Sequence, residues 1–317
     1  MIRIGSAGWS YPDWEGIVYP ARKSESFDPL ACLAAIVDCI EINSSFYRIP
    51  RAEAAASWVK RTSAFPEFLF TAKLWRGFTH ESHPPAGDAA REAARAFRES
   101  MKPLREAGRL GALLVQFPYS FHNNADNRSR LREIVERFGD FSIVVEVRHS
   151  SWLTTEFLAS LREQGIAFCN IDQPALSSNI PPTTHVTSAT AYVRLHGRNA
   201  AAWFDEGAGR DRRYDYLYSN EELSGWAERI ISMAARARDV FVIANNHFGG
   251  QGIANALELK SIVAGAKVKA PAGVLERFPR LRDRAEPAPE PTTSAGSNAA
   301  GVTATAAREH GQGVLPF

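Results

Sequence analysis

Polar and ionisable residues recur at one kind of place in this sequence: the ends of short apolar runs. Glu41 and Asn43 belong to the run Cys39–Asn43, Lys73 closes Phe68–Lys73, and Gln116 lies near the end of Ala112–Phe117. Glu146 and Arg148, with His149 behind them, end Ser142–Val147, and Asp172 follows Ala167–Ile171. Arg194, His196 and Arg198 end Ala191–Leu195, and Asn245, Asn246 and His247 follow Val240–Ala244. The first run, Ile2–Ala7, carries Ser6 and leads to Trp9. Charged groups seldom sit in apolar runs unless they are paired or used. A carboxylate beside Lys73 or Arg148 stays ionised, whereas one in a dry pocket holds a proton and can exchange it. Glu41, Lys73, Glu146 and His196 are therefore the candidate catalytic groups: the glutamates as acid or base, Lys73 as electrophile or partner. Arg148, Arg194 and His196 suit an anionic group, and Asn43, Gln116, Asn245 and Asn246 suit its orientation. The competing account is a structural salt-bridge layer. It is the weaker one, because desolvation offsets most of a buried pair's attraction.

The elements that must hold these residues alternate. Between the eight apolar runs lie helical patterns at Pro29–Val37, Ala52–Arg61, Ala89–Ala107, Arg128–Arg137, Thr155–Gln164, Glu221–Ala237 and Ile253–Val263. Asp28 with Pro29 makes a good helix start. Near-continuous apolar strands alternating with helices predict parallel βαβ units with right-handed crossovers. Eight units predict an α/β fold closed as a (β/α)8 TIM-like barrel. The sixth helix is reduced or irregular, since 174–188 has no helical period. An open doubly wound sheet is the runner-up, but Gly5-Ser6-Ala7-Gly8 lacks the G-x-G-x-x-G spacing, and no nucleotide-cofactor motif is visible. In a barrel the ends of the strands share one face, so the polar residues converge there. The barrel is assigned to 1–268, an extension to 269–283, and a disordered tail to 284–317, which is too poor in large apolar residues to offset ordering.

Composition narrows the classes of function. The 317 residues are 45% hydrophobic, and 37 Lys+Arg nearly balance 35 Asp+Glu, for a net charge of +2. That gives no general pull toward nucleic acid or a membrane. No run approaches the roughly 18 apolar residues of a membrane span, and no secretory leader is visible, so the expectation is a cytoplasmic protein with no membrane partner. Cys32, Cys39 and Cys169 sit in apolar surroundings without a C-x-x-C pair, which reads as reduced, buried thiols.

As a set, seven motifs resemble the YecE-like family (domain of unknown function 72). They are Gly-Trp-Ser-Tyr-Pro-Asp-Trp at 8–14, Glu-Ile-Asn-Ser-Ser-Phe-Tyr at 41–47, Phe-Thr-Ala-Lys at 70–73, Gln-Phe-Pro at 116–118, Val-Glu-Val-Arg-His at 145–149, Val-Arg-Leu-His-Gly at 193–197 and Asn-Asn-His-Phe-Gly-Gly at 245–250. The resemblance runs in order over roughly residues 1–265. It implies a barrel and supplies no settled activity.

The functional expectation is an enzyme doing acid–base chemistry (hydrolysis, isomerisation or elimination) on a small anionic substrate, phosphorylated or carbohydrate-like, at the barrel mouth. Arg194, His196, Arg198 and the glycines at 249, 250 and 252 suggest an anion site, against the simpler account of a tight turn. Trp9, Trp14, Phe46, Tyr47, Trp75 and Trp152 either stack on a ligand or cover the core. Residues 210–218 read as a loop that closes over the mouth, or as a solvated charged loop. His149, His196 and His247 with Glu41, Glu146 or Asp172 are a divalent-metal set that is admitted but not favoured. A retaining glycosidase, with carboxyl groups roughly 5–5.5 Å apart, does not fit strands two and five. The alternative is a non-catalytic binder of a nucleotide or nucleic-acid end, using the same arginines and aromatics.

Overall fold

The computed structural model describes residues 1–176, 178–203 and 212–288. The eight apolar runs form eight parallel strands, each within two residues of the span read from the sequence. In chain order the main elements are β1 (Ile2–Ala7), α1 (Pro29–Ala34), β2 (Cys39–Ile42), α2 (Ala52–Arg61), β3 (Leu69–Lys73), α3 (Gly87–Glu106) and β4 (Leu110–Gln116). There follow α4 (Ala125–Arg137), β5 (Ile143–Glu146), α5 (Thr155–Glu163), β6 (Ala167–Asp172), β7 (Thr190–Leu195), α6 (Asn220–Ala234), β8 (Asp239–Ala244) and α7 (Gln251–Ala264). Each strand pairs with the next, and β1 pairs with β8 in the register Ile2↔Val240 to Ser6↔Ala244, which closes the barrel. The fold is thus a TIM-like (β/α)8 barrel. β2, β5, β6 and β7 are buried along their whole length, as parallel strands covered by helices must be.

Local chemistry starts the helices, at Asp28 as the sequence predicts and elsewhere at caps that it did not single out. The Asp28 carboxylate accepts the Leu30 and Ala31 N–H groups and also binds Arg61 of α2, at 2.7 and 2.8 Å, tying two helices together. Asn124 caps α4, and Ser219 with Glu222 forms a reciprocal capping box on α6. α3 buries Ala90, Ala94, Phe97, Met101 and Leu104, a stripe spaced by four and three residues that faces the sheet. Fully burying a side chain such as Phe97 contributes about 1.5–3 kcal/mol. Gly5 marks a close approach: a Cβ there would lie 1.7 Å from the Cys39 carbonyl oxygen on β2.

Between β6 and β7 no helix forms among the described residues, as the Pro- and Thr-rich composition predicts. The segment is instead pinned by side chains. Asn170 accepts from Thr183 and the His185 N–H, and Thr187 accepts the Phe168 N–H while donating to the Ile166 carbonyl. At the other end, β9 (Val268–Ala270) and β10 (Ala285–Pro287) pack beside α7, and α8 (Ala272–Arg277) packs on β10. β10 corrects the boundary of the tail. Ala285–Pro287 pair in parallel with Val268–Ala270, Ala285 is buried, and Lys269 bridges Glu286 at 2.7 Å. Pairing satisfies the backbone that composition alone leaves free. The remainder of the tail, 289–317, lies outside the described residues. No helix among the described residues is long and apolar enough to cross a membrane.

Candidate functional site

Alternate residues of a barrel strand point to the axis and the others point to the helices. On β7 and just beyond it, Tyr192, Arg194 and His196 share the inward parity. Arg194 is 1% exposed and its guanidinium joins four other strand ends. Nη2 donates to Glu41 Oε1 at 2.7 Å and to Asn245 Oδ1 at 3.2 Å. Nη1 donates to Glu146 Oε2 at 2.7 Å and to Gln116 Oε1 at 3.4 Å. Residues from β2, β4, β5, β7 and the end of β8 therefore meet at one cation.

The layer below is determined by what carboxylates can accept. Glu41 Oε2 accepts the Tyr192 hydroxyl at 2.9 Å, so the Thr71 hydroxyl, 2.7 Å away, donates to Tyr192. Glu146 Oε1 accepts from Arg148 at 3.1 Å and lies 3.2 Å from His196 Nε2. Asn245 turns its oxygen to Arg194, so its Nδ2 donates to His196 Nδ1 at 3.0 Å. The imidazole proton then sits on Nε2, facing Glu146. Burial pushes the His196 pKa down to about 3 against the pull of Glu146, so this ring is neutral. Burial alone would raise the Glu146 pKa; Arg194, His196 and Arg148 outweigh it and hold it well below the usual carboxylate range. Glu146 is a fixed charge and a poor base near neutrality.

Lys73 differs. Among the described residues no carboxylate lies within ion-pair distance of its Nζ, which instead sits 4.3 Å above the Phe46 ring. Burial and then Arg194 lower its pKa, Glu41 and Glu146 oppose them, and the result is about 7. His80 packs edge-on to Phe46 at 4.7 Å and is pushed down to about 3 by burial, with Lys73 and Arg148 adding to the effect.

Above this layer is an opening of ≈ 420 Å³, part of it open to solvent, lined by Tyr11, Asn43, Tyr47, Lys73, Gln116, Arg194, Tyr214, Asn245 and His247. His247 stacks on Tyr11 at 4.4 Å and leans on Tyr214 at 5.2 Å, while Tyr47 is exposed. Both glutamates are fully buried and neither lines the opening. With Arg194 shared between them, they cannot flank a glycosidic bond.

Asp172 and Asn246 end strands but do not reach the mouth. Each stands one residue past an inward position and turns to a helix. Asp172 accepts from Arg198 at 2.9 Å and from Trp226 Nε1 of α6 at 2.6 Å. Asn246 donates to the Tyr216 carbonyl at 2.8 Å and to Asn255 of α7 at 2.9 Å. Arg198, held by Asp172 and Glu222, is likewise used in packing. Trp9 packs edge-on to Trp58, and Trp14 and Trp152 are buried, so they cover the core. The glycine loop after β8 is a tight turn whose Gly249 N–H donates to the Asp13 carboxylate at 2.6 Å, where the sequence suggests an anion. The three candidate metal-binding histidines separate: His196 faces Glu146, His247 stacks on Tyr11, and His149 stacks on His122 at 4.0 Å. Among the described residues no three His, Cys, Asp or Glu side chains are grouped to hold a metal. Of the proposed mouth loop, Arg210 and Asp211 lie outside the described residues and Tyr214 lines the opening. Tyr11 and His80 escape the sequence reading. Tyr11 lies in a loop four residues past β1, and its only signal is the motif at 8–14.

Comparison with known proteins agrees with this architecture. The family described as "Protein of unknown function DUF72" matches residues 3–278. The UPF0759 protein YunF of Bacillus subtilis is 31% identical over 276 residues, covering 83% of this chain and 95% of that protein. Two solved structures of DUF72 family proteins superpose well. One from Enterococcus faecalis is 30% identical with a TM-score of 0.74, and one from Thermotoga maritima is 33% identical with a TM-score of 0.72. Each covers 83% of this chain, and the match covers 96% and 99% of those proteins.

Proposed function

We propose a function for this chain, which belongs to the DUF72 family, from its own site, because the family's description names no activity. The chain is an enzyme that moves a proton on a small polar or anionic substrate at the mouth of the barrel, and Lys73 is the group that exchanges it. One observation carries this reading. Lys73 is an amine at the opening, without a carboxylate partner among the described residues and with a pKa near neutrality. A base of that pKa is half free at working pH and well matched to proton transfer. The buried Glu41–Arg194–Glu146 layer is the frame: two arginines, Arg148 and Arg194, balance two glutamates, so protonated Lys73 is the uncompensated charge and favours an anion.

The non-catalytic nucleotide binder needs open aromatic faces for a base. Trp9, Trp14 and Trp152 are engaged and Tyr11 is covered by His247, which leaves Tyr47 and Tyr214 among the described rings lining the opening. The test is a thermal-shift screen of small carboxylates, phosphates and sugar acids, followed by proton NMR of each hit in deuterated buffer. Exchange of a substrate proton by the wild type and its loss in Lys73→Met, with binding kept, supports the reading. Equal exchange by both proteins overturns it.

A further inference from the structure

We infer that Lys73 is a nucleophile toward a carbonyl carbon, and that the substrate class of this site is a small aldehyde or ketone carrying one anionic group, a 2-oxo acid being the simplest. The inference rests on the proposed function and sharpens it. Among the described residues lining the opening, Lys73 carries the amine, and the rest are phenols, amides, a guanidinium and an imidazole stacked on a phenol. The carboxylates lie beneath Arg194, fully buried, so a covalent step at the mouth falls to Nζ.

The surroundings of Nζ suit the intermediate. The nitrogen lone pair attacks the carbonyl carbon, forming the C–N bond as the carbonyl π bond breaks. A proton passes from nitrogen to the oxygen, a second proton taken from solvent at the opening turns the carbinolamine hydroxyl into a leaving water, and its departure with the C–O electron pair leaves a protonated imine. That cation occupies the place of the ammonium, 4.3 Å above the face of Phe46, where an aromatic quadrupole favours positive charge. The neutral amine is also favoured there, because burial with Arg194 nearby disfavours the ammonium, so the same site supplies a free nucleophile and tolerates its charged product. With the amine uncharged, Arg148 and Arg194 cancel Glu41 and Glu146. The imine adds one positive charge, which the substrate's carboxylate cancels. Gln116 turns Oε1 to Arg194, which leaves its amide N–H2 for that carboxylate.

The experiment is reductive trapping on the full chain. The protein is incubated with pyruvate and borohydride near pH 7.5, and the adduct is located by intact mass and peptide mapping. Expected is one reduced adduct, at Lys73. The six other lysines of the sequence should react at least about ten-fold more slowly, as their smaller free-amine fraction dictates. Acetate should compete, and Lys73→Arg should give no specific adduct. Labelling spread evenly over surface lysines, or unchanged in Lys73→Arg, overturns the inference. Labelling by glycolaldehyde but not by pyruvate overturns the anionic group alone. A parallel acetylation of Lys73 with limiting acetic anhydride across pH separates the two claims. Reactivity rising through about pH 7 without any trapped imine overturns the nucleophile and leaves the proton-transfer reading standing. Reactivity rising only near pH 10 overturns both.

Discussion

Replacing Arg194 by Met removes one guanidinium and strands two carboxylates. Among the described residues Glu41 keeps the Tyr192 hydroxyl at 2.9 Å, and Glu146 keeps Arg148 at 3.1 Å and His196 at 3.2 Å. Both are fully buried, so water cannot replace the lost partner. Breaking a buried pair costs about 3–5 kcal/mol, and at roughly 2–4 °C per kcal/mol in a domain of this size the melting temperature falls by roughly 6–20 °C. The deficit depends on pH with a definite sign. In the wild type the Glu146 pKa is depressed by folding, so its contribution is present above the unfolded carboxylate value and is lost as pH falls through the folded one. In the variant a stranded carboxylate takes up a proton, which favours the folded state at acid pH. The gap between the two proteins therefore widens from about pH 4 to pH 7. Urea unfolding followed by circular dichroism across that range reads it. Adding Glu41→Gln should recover at least about half of the loss, because it removes the stranded carboxylate and leaves Glu146 paired with Arg148. A variant within about 1 kcal/mol of wild type at pH 7, with no pH trend, would refute the view that this cation holds the layer together.

Three further outcomes follow from the same geometry. Lys73→Met should be more stable than wild type at pH 7. A folded-state pKa near 7 against an unfolded value near 10.4 means that wild type regains about 1.4 kcal/mol per pH unit above 7, so paired urea melts should converge toward pH 9–10. Asp172→Asn should cost about 1–3 kcal/mol through Arg198 and Trp226 while leaving Lys73 acetylation unchanged; altered Lys73 chemistry would place Asp172 in the site after all. Gly5→Ala should fail to accumulate as soluble protein, because the added methyl meets a β2 carbonyl at 1.7 Å that the strand ladder holds in place; a normal melt would show that β1 can shift.

The barrel was legible because its signals are local. Apolar runs of four to seven residues, the helix cap at Asp28, and the periodless stretch after Asp172 each follow from neighbours in sequence. The site was half legible. Polar strand ends pointed to Arg194, Glu41, Lys73, Gln116 and Asn245, which gather at one end of the barrel, with Glu41 buried beneath the opening rather than lining it. The period of two was needed to see that Asp172 and Asn246 turn outward, and it acts through a register, Ile171↔Arg194 and Asp172↔Leu195, that exists only in the paired sheet. Division of labour among the charged groups was not legible. Whether Glu146 is a base or a fixed ion depends on Arg194, 48 residues away, reaching across a closed sheet. Tyr11 joins the pocket only because the loop after β1 folds back onto His247.

The central claim is that a neutral amine waits at this mouth, and a titration of Lys73 itself is its most direct test. After reductive methylation with carbon-13 formaldehyde, the dimethyl-lysine resonance that is lost in Lys73→Arg should shift with a midpoint near pH 7, well apart from the other lysines. A midpoint near 10 for that resonance would contradict the account.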